Sequence, residues 1–442
     1  MDETSDTVGA LLGRCLATLG ARRVFAAAPV DSTSLRTDLG LAIHATGDAD
    51  LAALLAAADG RIGPGPGVAV LGANRVLVTS APGVEPDVVR VSDPSYLPGA
   101  LGGWTLGGVH ESVVFELDLD LEAPAPEGLE PIVLDASNDE LLMLSPTLAD
   151  FRLVILAGPG IARMGHVAGL RALASSAGCG VINTWGAKGV TEWDDLHHFG
   201  TIGLQARDVE LSGLADAELV ITCGVDEVEL PPQRWIGSAQ VLEVEPWQLS
   251  SLAHHWPDPG PVPVRPPLFG QLADALGESY RSDAVPLTPA RAVADLGTVL
   301  PPGGLIAGDP GPAGLWLARA FRTVEPGSVI VPAAFVRGFA AAATLVASLS
   351  GRVAIGVTTE PKDSATEAIV DLATSWSRPL VLEIWGGDES MTTVGDHARR
   401  LRDALDKRGV HCLDVPVDFA ETRRIIEVAG EVVAWHSDDG SG

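Results

Sequence analysis

LAGPGIARMG (156–165), INTWGAKGV (182–190) and HHFGTIGLQARDVELSGLADAELVITCGVDEVEL (197–230) decide how this chain folds. The apolar run Leu153–Ala157 reads as a buried strand, Gly158-Pro159-Gly160 as the tight turn ending it, and 167–176 as the following helix. A strand at Gly180–Thr184 closes one βαβ unit. Apolar runs at Leu219–Cys223 and 240–244 add two more strands to a small parallel sheet. The glycine turn lies after a strand and before a helix, where backbone N–H groups can receive an anion and a ligand can come close. Its spacing is GxGxxxxG rather than the dinucleotide pattern GxGxxG, so a tight turn without a ligand is the competing reading. Lys188 and Arg207 are the cations placed to meet a phosphate there, or to serve as structural ion-pair partners.

The same alternation continues on both sides. Upstream, Thr7 caps a helix that places Val8, Leu11, Leu12, Cys15, Leu16 and Leu19 on one face, and Asp48 caps an alanine-rich helix over 49–58. Strands are expected at 23–28, 41–45, 68–71, 76–80 and 112–119. The proline-rich acidic tract 121–131 is a candidate linker. A second linker, 256–267, contains six prolines. Downstream, helices are expected at 289–300, 315–321, 335–349, 364–376 and 394–408, with strands at 304–307, 352–357, 380–384 and 410–416. The last ten or so residues read as frayed. The fold class is therefore α/β, with three Rossmann-like domains of mostly parallel sheet at 1–120, 132–255 and 268–436.

Composition narrows the function. The 442 residues carry 29 Lys+Arg against 58 Asp+Glu, a net charge of −29. Such a surface repels phosphate backbones and anionic lipid, so neither nucleic acid nor membrane is an expected partner. The acidic start MDETSD is no signal peptide, and the longest apolar run, 338–349, is too short to span a bilayer. The four cysteines, 15, 179, 223 and 412, form no CxxC pair, which fits a reducing cytoplasm. The adjacent pairs His197-His198 and His254-His255 have poor chelating geometry. No GxSxG, HExxH or P-loop occurs.

The central run resembles the central domain of thiamine diphosphate (ThDP)-dependent enzymes of the acetolactate synthase and benzoylformate decarboxylase kind. The shared elements come in order: the Gly-Pro-Gly turn, Thr184-Trp185-Gly186-Ala187-Lys188-Gly189, a Gly-x-x-Gly segment, and a strand ending in Gly224-Val225-Asp226. In some relatives this domain binds FAD or a nucleotide, which makes Gly158, Gly160 and Lys188 the candidate ligand contacts. Val78-Thr79-Ser80-Ala81-Pro82-Gly83 resembles a turn of the pyrimidine-binding domain. Counting back from Ala57-Ala58-Asp59-Gly60 puts the family's cofactor-activating glutamate at about Leu51 and its histidine at about Asp50. Leucine cannot drive the aminopyrimidine to its imino tautomer. Gly308-Asp309-Pro310-Gly311 resembles the first turn of the pyrophosphate-binding domain, so Asp309 and Gly311 are candidate cofactor contacts. The family's Gly-Asp-Gly and Asn-Asn ligands to Mg²⁺ are replaced by Thr358-Thr359-Glu360 and Gly386-Gly387-Asp388. Glu360, Asp363 and Asp388 are the oxygen donors from which a metal site would have to be rebuilt.

Three readings follow. The first is a degenerate family member, a pseudoenzyme without a cofactor that serves a binding, regulatory or assembly role. The second is a ThDP- and Mg²⁺-dependent lyase or carboligase acting on a 2-oxo acid through an unorthodox site. The third is a nucleotide- or flavin-binding protein using the central domain. Family active sites form between subunits, so the resemblance implies a homo-dimer or tetramer, with an intact paralogue as a further possible partner.

Overall fold

The computed structural model describes residues 6–28, 35, 40–103, 112–132, 151–257, 260–360, 363–387, 391 and 393–435. The chain divides into two compact units, Met1–Asn138 and Asp139–Gly442. The first unit contains α1 (Val8–Thr18), β1 (Arg23–Ala27), β2 (Ala42–Thr46), α2 (Ala49–Ile62), β3 (Gly67–Gly72), β4 (Arg75–Thr79), β5 (Asp87–Val91), α3 (Leu97–Gly103) and β6 (Val113–Leu117). The two expected caps form: the Thr7 hydroxyl accepts from the Ala10 N–H at 3.2 Å and the Asp48 carboxylate from the Leu51 N–H at 2.8 Å. The six strands lie in the order β2-β1-β3-β4-β6-β5. β4 runs antiparallel to both neighbours, while the β1–β2, β1–β3 and β5–β6 pairs are parallel.

Two features here depart from the sequence expectation. The mostly exposed strand β5 and the short helix α3 were not anticipated, because Asp87–Val91 is a five-residue run with only its last side chain buried. The tract 121–131 is also no free linker. Its chain bonds to the start of α1, from the Val8 N–H to the Ala123 carbonyl at 3.0 Å, and from Ala125 to the Asp6 carbonyl at 2.8 Å. Leu121, Ala123, Ala125 and Leu129 pack on the α1 core.

The second unit holds two parallel sheets. The central one is built from β7 (Leu153–Ala157), α4 (Gly160–Arg163), α5 (Val167–Ala177), β8 (Gly180–Thr184), β9 (His198–Ile202), α6 (Asp208–Leu211), β10 (Leu219–Cys223), β11 (Gln240–Glu243) and α7 (Leu249–His255). Its strand order is β11-β10-β7-β8-β9, the doubly wound arrangement in which the order reverses between β7 and β10. The edge strand β9, absent from the sequence reading, was hidden because His198, Gly200 and Thr201 interrupt its apolar pattern. All five of its residues are nevertheless buried.

After α8 (Pro267–Leu276) and α9 (Pro289–Val299) the last sheet is formed by β12 (Leu305–Gly308), α10 (Pro312–Ala320), β13 (Val329–Ile330), α11 (Phe339–Leu349), β14 (Ala354–Thr358), α12 (Ser364–Ser375), β15 (Leu380–Trp385), α13 (Gly395–Asp406), β16 (Val410–Val415) and α14 (Thr422–Ala429). The strand order is β13-β12-β14-β15-β16, all parallel, with its reversal between β12 and β14. The expected strands and helices of this third appear within a few residues of their predicted ends. The short β13, α8 and α14 were unanticipated. Trp185 and Leu204 of the central sheet belong to the same buried cluster as Trp316, Leu317 and Trp385, so the two sheets share one core. Among the described residues no helix is long and apolar enough to cross a membrane.

Candidate functional site

In doubly wound sheets, ligands bind outside the carboxyl ends of the strands at the point where strand order reverses. In the last sheet that point carries Asp309. It sits just past β12, nine-tenths buried, and its carboxylate accepts from the Ala340 N–H in the first turn of α11 at 2.8 Å. Burial pushes the Asp309 carboxyl up to about 6. The Ala340 and Thr358 hydrogen bonds work against that rise, and the Asp363 and Glu360 charges add to it. Asp363 caps α12, accepting from the Ala365 and Thr366 N–H groups at 3.0 Å each and from the Thr366 hydroxyl. Glu360 pairs with Arg337 at 3.6 Å. Gly311, at φ 111°, starts α10. Gly338 is left-handed at φ 72°, and a Cβ there would lie 2.8 Å from the Ala365 Cβ, so the starts of α11 and α12 are packed together. The structure thus gathers Asp309, Glu360 and Asp363. Asp388 lies outside the described residues.

The reversal point of the central sheet is closed by backbone. The Gly158 N–H donates to the Cys223 carbonyl at 2.9 Å and the Gly160 N–H to the Gly224 carbonyl at 3.0 Å. A Cβ on Gly158 would overlap the Gly224 carbonyl oxygen and Val225. These glycines let two strand ends meet, and the N–H groups that a phosphate would need are in use. Gly158→Ala is therefore expected to destabilise this unit by about 1–3 kcal/mol, read as a lowered thermal midpoint. An unchanged midpoint would show that the turn has slack. Arg207 is committed to Glu210 at 2.8 Å and to the Val428 carbonyl at 3.2 Å. Lys188 points elsewhere. It lines a cavity of about 80 Å³ with His198, Thr201 and Arg319, and neither Gly158 nor Gly160 is in that lining.

In the first unit, Leu51 is buried in the first turn of α2, while Asp50 faces solvent. The Asp48 carboxylate is held by its capping bond to the Leu51 N–H. In the turn at 78–83, the Thr79 and Ser112 hydroxyls meet at 2.5 Å, and both reach the Ala81 carbonyl.

Residues 149–251 match the family model described as "Thiamine pyrophosphate enzyme, central domain". That stretch is therefore a thiamine pyrophosphate enzyme central domain. No curated protein sequence matches significantly. Among solved structures the fold is similar to a Mycobacterium smegmatis protein provisionally described as a thiamin diphosphate-dependent enzyme. The TM-score is 0.69 at 14% identity, over 93% of this chain and 99% of that one. At this identity the likeness shows a shared fold over nearly the whole chain.

A ThDP family member holds its cofactor by the diphosphate, through a hard cation and helix N-terminal N–H groups. The residues present do not fit that anchor. The Ala340 N–H in the first turn of α11 already bonds to Asp309, and the Ala365 and Thr366 N–H groups in the first turn of α12 to Asp363. A diphosphate would add negative charge beside Asp309, Glu360 and Asp363. Among the described residues no group of three or more His, Cys, Asp or Glu is arranged to hold a metal ion.

Two buried polar clusters escaped sequence reading. Arg319, at the end of α10, bonds both Asp208 oxygens at 2.7 and 2.9 Å, the Thr201 carbonyl at 2.8 Å and the Gln205 amide oxygen at 3.1 Å. It ties the central sheet to the last one. His397 on α13 lies between Asp295 of α9 at 3.0 Å and Glu383 of β15 at 2.8 Å. Arg291 completes the first contact and the Trp385 indole the second, each at 2.9 Å. The one available signal was a glutamate inside the apolar strand Leu380–Trp385, since a buried charge must find a partner.

Proposed function

We propose that this chain is a ThDP-family protein that has given up the conventional diphosphate anchor and serves by binding, in a regulatory or assembly role, rather than by ThDP catalysis. The observation that carries this reading is the pair of carboxylates, Asp309 and Asp363, seated on the helix N-termini where a diphosphate would need free donors. Leu51 at the expected glutamate position supports it independently, because no group there can activate an aminopyrimidine. Assembly into a homo-dimer or tetramer, or with an intact paralogue, belongs to the same reading. A monomeric mass at micromolar concentration would remove that part.

The test is calorimetric titration of the folded protein with ThDP in the presence of millimolar Mg²⁺. No saturable heat at high micromolar ThDP is expected, with folding verified on the same sample by a cooperative thermal transition. Saturable, magnesium-dependent binding would overturn the reading and direct the work to 2-oxo acid substrates.

A further inference from the structure

Lys188 is one of three lysines in the chain and is only 6% exposed. Its ammonium has no hydrogen bond or ion pair among the described residues. It faces the cavity of about 80 Å³ between the edge strand β9, helix α8 and the end of α10. Among the described residues that line the cavity, none is acidic. Arg319 borders it with its guanidinium turned to Asp208. Arg322 stands at the mouth, stacked on Trp193 at 4.5 Å and Tyr280 at 4.3 Å, with no carboxylate partner among the described residues. His198 bonds Thr191 through Nδ1 at 3.1 Å, and its other ring nitrogen has no partner among the described residues. Burial, with Lys188 and Arg265 adding, holds the His198 imidazolium down at about 3, so the ring is neutral. The nearest acidic side chain on the Lys188 loop, Glu192, is exposed and sits 3.6 Å from Arg171.

A chain with a net charge of −29 has thus placed an unpaired lysine and an arginine held by aromatic rings around one cavity, with no carboxylate in its lining among the described residues. Burying an ammonium without a partner is costly unless an anion joins it or it sheds its proton. The remaining walls are apolar or aromatic: Phe269, Leu268, Leu272 and Phe321 beside Trp193 and Tyr280. They favour a ligand with a charged head and an apolar tail over inorganic phosphate, which is polar on all sides. Size sets the length. An engineered cavity of roughly 150 Å³ holds benzene, so about 80 Å³ suits an acid of about two to four carbons.

We propose that this cavity is a binding site for a short-chain monocarboxylate, its carboxylate held by Lys188 with Arg322 at the entrance and its tail against the aromatic wall. The site is separate from the cofactor crevice and does not depend on whether ThDP binds. Burial, and then the Arg319 charge, pulls the Lys188 ammonium down to about 7, so a bound anion must draw a proton onto it.

The test uses the whole protein labelled with ¹³Cε-lysine, in which Lys188, Lys362 and Lys407 give the lysine signals. Sodium propionate is titrated against sodium chloride at equal ionic strength. The Lys188 signal is expected to titrate near pH 7 in the free protein and to shift saturably with propionate at a Kd on the order of 1 mM. Binding should be about tenfold weaker at pH 8 than at pH 6, because the ammonium must first be charged. Lys188→Met should abolish the response and Arg322→Ala should weaken it severalfold. If Lys188→Met does not fold, Lys362→Arg and Lys407→Arg assign the signal by elimination and the wild-type titration decides. A shift equal to that with chloride, no saturation at tens of millimolar, or equal affinity at pH 6 and pH 8 would overturn the proposal. The ThDP titration on the same sample separates this outcome from that of the cofactor reading.

Discussion

Arg319→Ala is expected to lower the stability of the 139–442 unit by about 3–5 kcal/mol. The guanidinium and Asp208 are each 1% exposed at the side chain. Removing the arginine leaves a buried carboxylate facing the Leu204 and Gln205 N–H groups at 2.9 Å, with no cation to offset its lost hydration. It also frees the Thr201 carbonyl and the Gln205 amide oxygen inside the core. Urea unfolding followed by tryptophan fluorescence reads the change. The double replacement Arg319→Met with Asp208→Leu should recover much of the loss, because the unpaired charge rather than the missing attraction carries the penalty. Arg207→Ala, at an exposed pair, should leave the midpoint where it was. If Arg319→Ala behaves like Arg207→Ala, the ion pair does not hold the two sheets together.

The second large effect is a pH dependence centred on His397. Burial alone would pull its imidazolium down. Glu383 and Asp295 more than offset this through charge and hydrogen bonding, and hold it up at about 10. In the unfolded chain the same ring titrates near 6.5. The folded state therefore keeps a proton that the unfolded state releases. The resulting stabilisation is complete below about pH 6.5 and is lost as pH rises through about 10. Thermal midpoints across this range should fall with rising pH. His397→Gln should flatten that slope and cost about 3–5 kcal/mol at neutral pH, since Asp295 and Glu383 stay buried without their shared cation. A wild-type midpoint that stays level from pH 7 to 10, with the glutamine variant running parallel, would mean the ring is neutral in the folded protein.

Much of the architecture was legible because it rests on short-range physics. The caps at Thr7 and Asp48, the apolar runs at Leu153–Ala157 and Leu219–Cys223, and the helices α9, α12 and α13 are decided within a few positions by periodicity and capping. The elements that escaped are those whose burial comes from distant partners. β9 carries His198 and Thr201 into the core because α8 covers it, and α8 buries the apolar face carrying Leu268 and Leu272 against that strand. The tract 121–131 has the composition of a linker, yet it is tied to α1 by backbone bonds that composition cannot reveal.

The candidate site divides along the same line. Sequence by itself determined the α/β class, the three-sheet order of elements, the kinship of residues 149–251 with ThDP enzymes, and the leucine where an activating glutamate is expected. It also determined which residues were available as cofactor contacts. Tertiary structure decided what they do. It turned Gly158 and Gly160 into a backbone-to-backbone seam, placed Asp309 and Asp363 on helix N-termini, and aimed Lys188 into a cavity away from the glycine turn. It joined Arg319 to Asp208 across 111 positions and His397 to Asp295 across 102. Periodicity and capping depend on neighbours a turn away. The pairing of charges depends on strand order and on which faces lose water, and those are settled only when the sheets pack.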